Sequence, residues 1–290
     1  MLKMATKIWI CRFSRYNRTM KKPFVLNRLL HISNESHQKD TNYSIAKTLC
    51  DHFYELPSMT IQETADLCYV SCASISRFVR YLGYSGFSEF KESCAKSIGI
   101  EADYSNEVKK AQKEDLLPIY TRFTEQILSN IQIAFSELDI EQMDRICGWM
   151  QKADKIATLG LEFSSLVGEH IQSRLMRMHK NVQTSLDFQE QKEIVQNLTN
   201  NSLIFILSME AGYLYHNPEI IDWIQAKGCK VVIITINPYN KQMQFADEIL
   251  VCGKQNYNTE GRISLLYMVE LLLMHYSISY FQNLKMNRPS

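Results

Sequence analysis

The chain has 290 residues, is 46% hydrophobic and 22% charged, and carries a formal net charge of +1. That length predicts two domains, each long enough to bury its own core. Eight cysteines (Cys11, Cys50, Cys68, Cys72, Cys94, Cys147, Cys229 and Cys252) form no C-x-x-C pair and show no disulfide-scaffold spacing, which excludes a stapled fold and predicts reduced thiols.

The charge is unevenly spread. Residues 1–97 hold 14 Lys/Arg and 8 Asp/Glu, a balance of +6, while the remainder holds 18 and 23, a balance of −5. A basic front and an acidic back suit a nucleic-acid reader joined to a different module. Residues 1–22 carry seven Lys/Arg and no acid. They read as a disordered basic extension ahead of a start at Met20, with a phosphate-touching arm and a transit peptide as the other two readings. Phe24–Ile32 predicts a short apolar helix and Asn34–Thr41 a polar loop. Tyr43–Leu56 predicts a second helix, with Ile45, Ala46, Leu49, Phe53 and Leu56 at helical spacing and Pro57 ending it.

Two short helices joined by a tight turn are predicted next, over Thr60–Leu82. Thr60 is an N-cap, and Glu63 completes a capping box. Ala65 is small enough for a close helix crossing, Cys68–Val70 is the turn, and Ser71 caps the second helix. On that helix Ile75, Phe78, Val79 and Leu82 share one arc. Ala73, Arg77 and Arg80 lie opposite, with Ser74, Ser76 and Tyr81 beside them. From Leu67 to Ser88 there is no Asp or Glu. An acid-free face with two cationic donors suits a helix that enters a DNA major groove, where bases offer acceptors and phosphates repel carboxylates. Tyr69 stands where such turns often have Gly, which predicts a slightly open turn.

The run Ser71-x-x-Ser74-Ile75-Ser76-Arg77-Phe78, followed by Leu82-Gly83-Tyr84-x-Gly86-Phe87-x-Glu89-Phe90-Lys91, resembles the N-terminal domain of RpiR-type transcriptional regulators. The resemblance implies an all-α helix-turn-helix domain over 23–98. It implies DNA contacts by Ser71, Ala73, Ser74, Ser76, Arg77, Arg80, Tyr81 and Lys91.

Residues 99–119 are polar and charged and read as a linker. Helices are expected at Tyr120–Phe135 and Asp139–Met150. Short β-branched runs follow at Lys155–Leu159, Val182–Ser185, Leu203–Leu207, Lys230–Ile236 and Glu248–Val251. Helical segments at Ser164–Met178, Gln191–Leu198 and Pro218–Lys227 lie between them. This alternation predicts an α/β domain over 120–285, a three-layer αβα fold on a parallel five-stranded sheet. Gly228 sits at the expected helix C-cap. Ile263–Tyr280 is apolar nearly all round and reads as a buried helix rather than a membrane span.

In open parallel sheets ligands sit beyond the strand C-termini. There, Gly160…Ser164-Ser165 and Ser208-Met-Glu-Ala-Gly212 put serines at strand-to-helix junctions, where a helix N-terminus favours a phosphate. With the "AKGCKVVIIT" and "FADEIL" segments, these residues resemble a sugar isomerase (SIS) domain. That resemblance implies a phosphosugar effector site using Ser164, Ser165, Ser208, Thr235 and Glu260. Two departures stand out. Glu162 replaces a glycine of the first motif, and Glu210, Ala211 and Tyr213 stand where the second has Ser, Gly and Thr. A carboxylate about 4 Å from a phosphate costs about 4 kcal/mol at an effective dielectric near 20, so the domain is expected to have lost or changed its phosphosugar site and to act mainly in dimerisation.

The sequence as a whole reads as a cytoplasmic DNA-binding regulator rather than an enzyme. It is expected to work as a homodimer or homotetramer on double-stranded DNA with a pseudo-palindromic operator, to control carbohydrate or amino-sugar genes, and to need no cofactor, metal or membrane. The rival reading is a SIS-fold sugar-phosphate isomerase or etherase with an accessory N-terminal domain.

Overall fold

The computed structural model describes residues 25–35, 40–99, 111, 115–257 and 259–281. The expected basic extension, and residues 100–110 and 112–114 of the expected linker, lie outside them. The chain divides into two compact units between residues 102 and 103.

The first unit is all helical: α1 (Val25–Glu35), α2 (Thr41–Asp51), α3 (Ile61–Leu67), α4 (Cys72–Tyr81) and α5 (Phe87–Gly99). α2 stops at Asp51, well before Pro57, and turns carry the chain from there to α3. Asp40 starts α2 by accepting from the Tyr43 N–H. The capping box at α3 is complete: Glu63 N–H donates to Thr60 Oγ1 at 3.2 Å, and Thr60 N–H donates to Glu63 Oε2 at 2.6 Å. Those donors from Thr60 hold the Glu63 carboxyl below its ordinary pKa. Ala65, Ile75, Phe78, Val79 and Leu82 meet Leu29, Leu49 and Phe90 in one core. Burial of the Ile, Phe, Val and Leu side chains, at about 1.5–3 kcal/mol each, is what holds helices this short in place.

The second unit opens with α6 (Leu116–Ser136) and α7 (Ile140–Lys152). α6 starts four residues before the expected Tyr120, because Pro118 falls in its first turn, where no intrahelical N–H is needed. The sheet follows: β1 (Ile156–Gly160), α8 (Phe163–Met176), β2 (Val182–Gln183), α9 (Phe188–Gln196), β3 (Leu203–Leu207), α10 (Gly212–His216), α11 (Pro218–Lys227), β4 (Lys230–Thr235), β5 (Glu248–Val251) and α12 (Glu260–Tyr276). All strand pairs are parallel, in the order β2-β1-β3-β4-β5.

Period-two alternation splits each central strand between two cores. Leu203, Phe205, Leu207, Val232 and Ile234 pack with side chains of α7, α8 and α12. Ile204, Ile206, Val231 and Ile233 pack on the other face with side chains of α9, α10 and α11. The result is the three-layer αβα arrangement. Gly228, at φ +63°, ends α11. α12 and the following π turn form the one segment, among the described residues, long and apolar enough to cross a membrane. In the fold its Leu265, Met268, Val269, Leu272 and Leu273 are buried in the sheet core.

Candidate nucleic-acid interface and effector site

α4 turns its apolar arc inward and its polar arc to solvent. Ser71 caps it, accepting from the Ser74 N–H at 3.2 Å. The Ser71 and Ser74 hydroxyls lie 3.0 Å apart, and Arg77 Nη2 donates to Ser74 Oγ at 3.3 Å. Ser71, Ala73, Arg77, Arg80 and Tyr81 are exposed, and Ser74 and Ser76 half-buried. The seven residues expected on this helix and its cap therefore form one local group. Lys91 does not share their helix. It lies on α5 beside an open hollow of about 400 Å³, with Thr60, Ile61 and Ser88 among its walls.

The turn departs from expectation. Tyr69 adopts φ +54° and closes the turn tightly, with Val70 N–H donating to Ala65 O at 3.0 Å. Packing of α3 against α4 through Ala65 and Ile75 sets the turn and imposes the left-handed conformation on a residue that disfavours it.

In the second unit, strand order reverses between β1 and β3. This is the switch point where a crevice opens beyond the strand C-termini. β1 ends at Gly160, where a Cβ would stand 2.8 Å from that of Ser164, so only glycine allows α8 to start so close. Two residues on, Glu162 sits at φ +49°, ψ −120° at the N-cap of α8, a region natural to glycine. Ala211 (φ +65°) and Thr259 (φ +75°) hold left-handed conformations at the N-caps of α10 and α12. The crevice thus keeps tight, glycine-like turns while carrying other residues in them.

Most of the candidate hydroxyls are engaged by the scaffold. Ser165 Oγ donates to Gly160 O at 2.8 Å. Ser208 Oγ accepts from the Tyr213 N–H at 3.4 Å. Thr235 Oγ1 donates to Met209 O at 2.9 Å and accepts from the Asn237 N–H at 3.0 Å. Ser164 is buried in the first turn of α8.

Glu260, fully buried, accepts from the Tyr257 N–H at 2.9 Å through Oε1. Glu210 is half-buried. Desolvation, and secondarily the charge of Glu260, push its carboxyl up to about 7.

Gln191 was not expected at the site. It is fully buried, accepts from Gly160 N–H through Oε1, and donates through Nε2 to the carbonyls of Gly160 and Ser185. It braces the end of β1. Its signal in the sequence was a polar residue on the Phe188/Val195 face of α9. Asn130 of α6 plays the same part for the loop before α12, accepting from Lys254 N–H and donating to Gln255 O. Among the described residues no group of three or more His, Cys, Asp or Glu could hold a metal ion, and the described cysteines are free thiols.

A helix-turn-helix whose second helix is cationic and free of acids is the architecture of a DNA reader, and here it is joined in one chain to a parallel αβα unit. Residues 26–100 match the helix-turn-helix domain of the rpiR family. A Providencia stuartii protein described as an uncharacterized HTH-type transcriptional regulator in the aarA 3′ region is 26% identical over 225 residues, 73% of this chain and 75% of that one. An uncharacterized HTH-type transcriptional regulator of Haemophilus influenzae is 23% identical over 238 residues, 78% of this chain and 82% of that one. In fold, the Vibrio vulnificus NanR protein complexed with ManNAc-6P covers 89% of this chain and 94% of its own at a TM-score of 0.51 and 19% identity. Its first unit is thus an rpiR-family helix-turn-helix domain, in a chain similar to HTH-type transcriptional regulators over about three quarters of its length.

Proposed function

We propose that the chain binds a pseudo-palindromic operator as a homodimer or homotetramer in the cytoplasm, and that its second unit serves mainly in that self-association, its phosphosugar site lost or changed. The observation that carries the reading is the α4 face, where Arg77 and Arg80 stand exposed among serines with no acid between Leu67 and Ser88. Arg77, Arg80, Ser71, Ser74, Ser76, Ala73 and Tyr81 meet the major groove, and Lys91 a phosphate outside it. Exposed Leu128 and Phe135 on α6, and Ile263, Leu266 and Met274 on α12, support association. Two-fold symmetry would set half-sites about 34 Å apart or a multiple of that. Arg77→Ala should weaken operator binding by about 1–3 kcal/mol in fluorescence anisotropy; unchanged affinity would remove Arg77 from the interface.

The NanR relative was solved with an amino-sugar phosphate, and an effector of that class is the natural candidate here. Ser164, Ser165, Ser208, Thr235 and Glu260 lie at strand C-termini or at the starts of the helices that follow, but a Glu210 carboxylate disfavours a dianion at and above neutral pH. The unit therefore serves chiefly in association, with weak phosphosugar affinity and no turnover. Glu260 is held by a backbone N–H rather than poised for proton transfer. Calorimetric titration with N-acetylmannosamine 6-phosphate and related phosphosugars at about pH 8 should show binding weaker than micromolar, since Glu210 is then ionised. Micromolar binding, or isomerisation of any of them, would overturn this.

A further inference from the structure

Among the described residues outside Gly, five hold positive φ: Tyr69, Glu162, His179, Ala211 and Thr259. Tyr69 differs from the others in exposing a large aromatic side chain, 96% accessible, beside the recognition helix. Gly or Asn would hold φ +54° with less strain, and a smaller polar residue would serve solubility better than an exposed phenol. Neither fold stability nor core packing explains the tyrosine. Position does offer a reason. Tyr69 lies two residues before Ser71, so its Cα is within about 7 Å of the N-cap of α4. That end of α4 carries exposed Ser71 and Ala73, and the nearest acid in sequence, Asp66, is already accepting from Gln62 Nε2 at 2.9 Å.

We propose that Tyr69 contacts DNA, its phenolic hydroxyl donating to a phosphodiester oxygen at the edge of the groove that α4 enters, so that the strained turn fixes the depth and register of the recognition helix. The proposal rests on the reading of α4 as the DNA-contacting helix. A hydroxyl donor is not a cation, and this makes the contact distinguishable from an arginine's. It adds a hydrogen bond to a charged acceptor without releasing a counterion. A phosphate is sequence-blind, so the contact should matter on any duplex.

The test uses the full-length chain, a mixed-sequence DNA duplex as probe, and fluorescence anisotropy across a salt series. Tyr69→Phe keeps the ring and the backbone strain but removes the donor; it should weaken binding about 5–10-fold with the salt slope unchanged. Tyr69→Asn relieves the strain; it should melt at the same temperature as the parent or higher, and bind no better than Tyr69→Phe. Arg77→Ala in the same series should lower the salt slope by about one if Arg77 meets a phosphate. Tyr69→Phe binding like the parent would overturn the hydroxyl contact, whether or not Tyr69→Asn is weakened. A parent chain that binds no duplex would sink the DNA-contacting reading along with this one; parental binding with an unaffected Tyr69→Phe would sink the Tyr69 contact alone.

Discussion

The two units build their surfaces in opposite ways. On α4 the polar side chains have partners one turn away, as with Arg77 on Ser74 and Ser74 against Ser71, and they remain exposed or half-buried. At the C-terminal end of the sheet the candidate groups come from positions as distant as Gly160, Ser208 and Glu260. Their hydroxyls are turned onto the backbone, as in Ser165 to Gly160 O and Thr235 to Met209 O. A helix face is a local product of spacing, so it can keep its function while its core drifts. A crevice assembled from several loops keeps its shape through buried braces such as Gln191, while its chemistry changes with a single carboxylate.

The largest expected effect tests how separate the units are. Phe78→Ala opens a cavity in the helical core and should cost about 3–5 kcal/mol. Calorimetry should show the helical unit melting earlier and DNA binding lost, with the transition of the sheet unit unmoved. A shift of both transitions together would mean the two cores are energetically coupled.

A smaller effect sharpens the account of the strand C-termini. Glu210 has its carboxyl raised to about 7 in the fold, so the folded state holds its proton more tightly than the unfolded chain. Stability on this account is full below about pH 4.5 and is lost as pH rises through about 7. Glu210→Gln cannot ionise, so relative to the parent it should gain on the order of 1–2 kcal/mol at about pH 8, discounted for partial exposure, and little at about pH 5. Denaturant midpoints at the two pH values measure it. An equal gain at both would show that Glu210 is destabilising for reasons other than its charge.

The smallest effect concerns the start of α3. Thr60→Ala removes one half of the capping box and should cost about 1 kcal/mol, read as a lower denaturant midpoint for the helical unit. Because Thr60 also lines the hollow beside Lys91, a loss of DNA affinity beyond that set by stability would extend the nucleic-acid surface to the start of α3.

By itself the sequence determined the local features. Spacing placed Ile75, Phe78 and Val79 on the inner arc of α4 and Arg77 and Arg80 on the outer one. Capping chemistry marked Thr60 and Ser71, and β-branched runs marked β3 and β4. These depend on neighbours within a few residues, so the chain carries them openly. Tertiary structure alone decided the rest. It closed the turn at Tyr69 into a left-handed conformation by docking α3 on α4, and added the short α10 where Gly212–His216 shows no long period. It brought Glu210 near Glu260, fifty residues on, and buried it enough to raise its carboxyl. Burial and long-range proximity are properties of the packed sheet and its helices, and no window of sequence short enough to read for periodicity contains them.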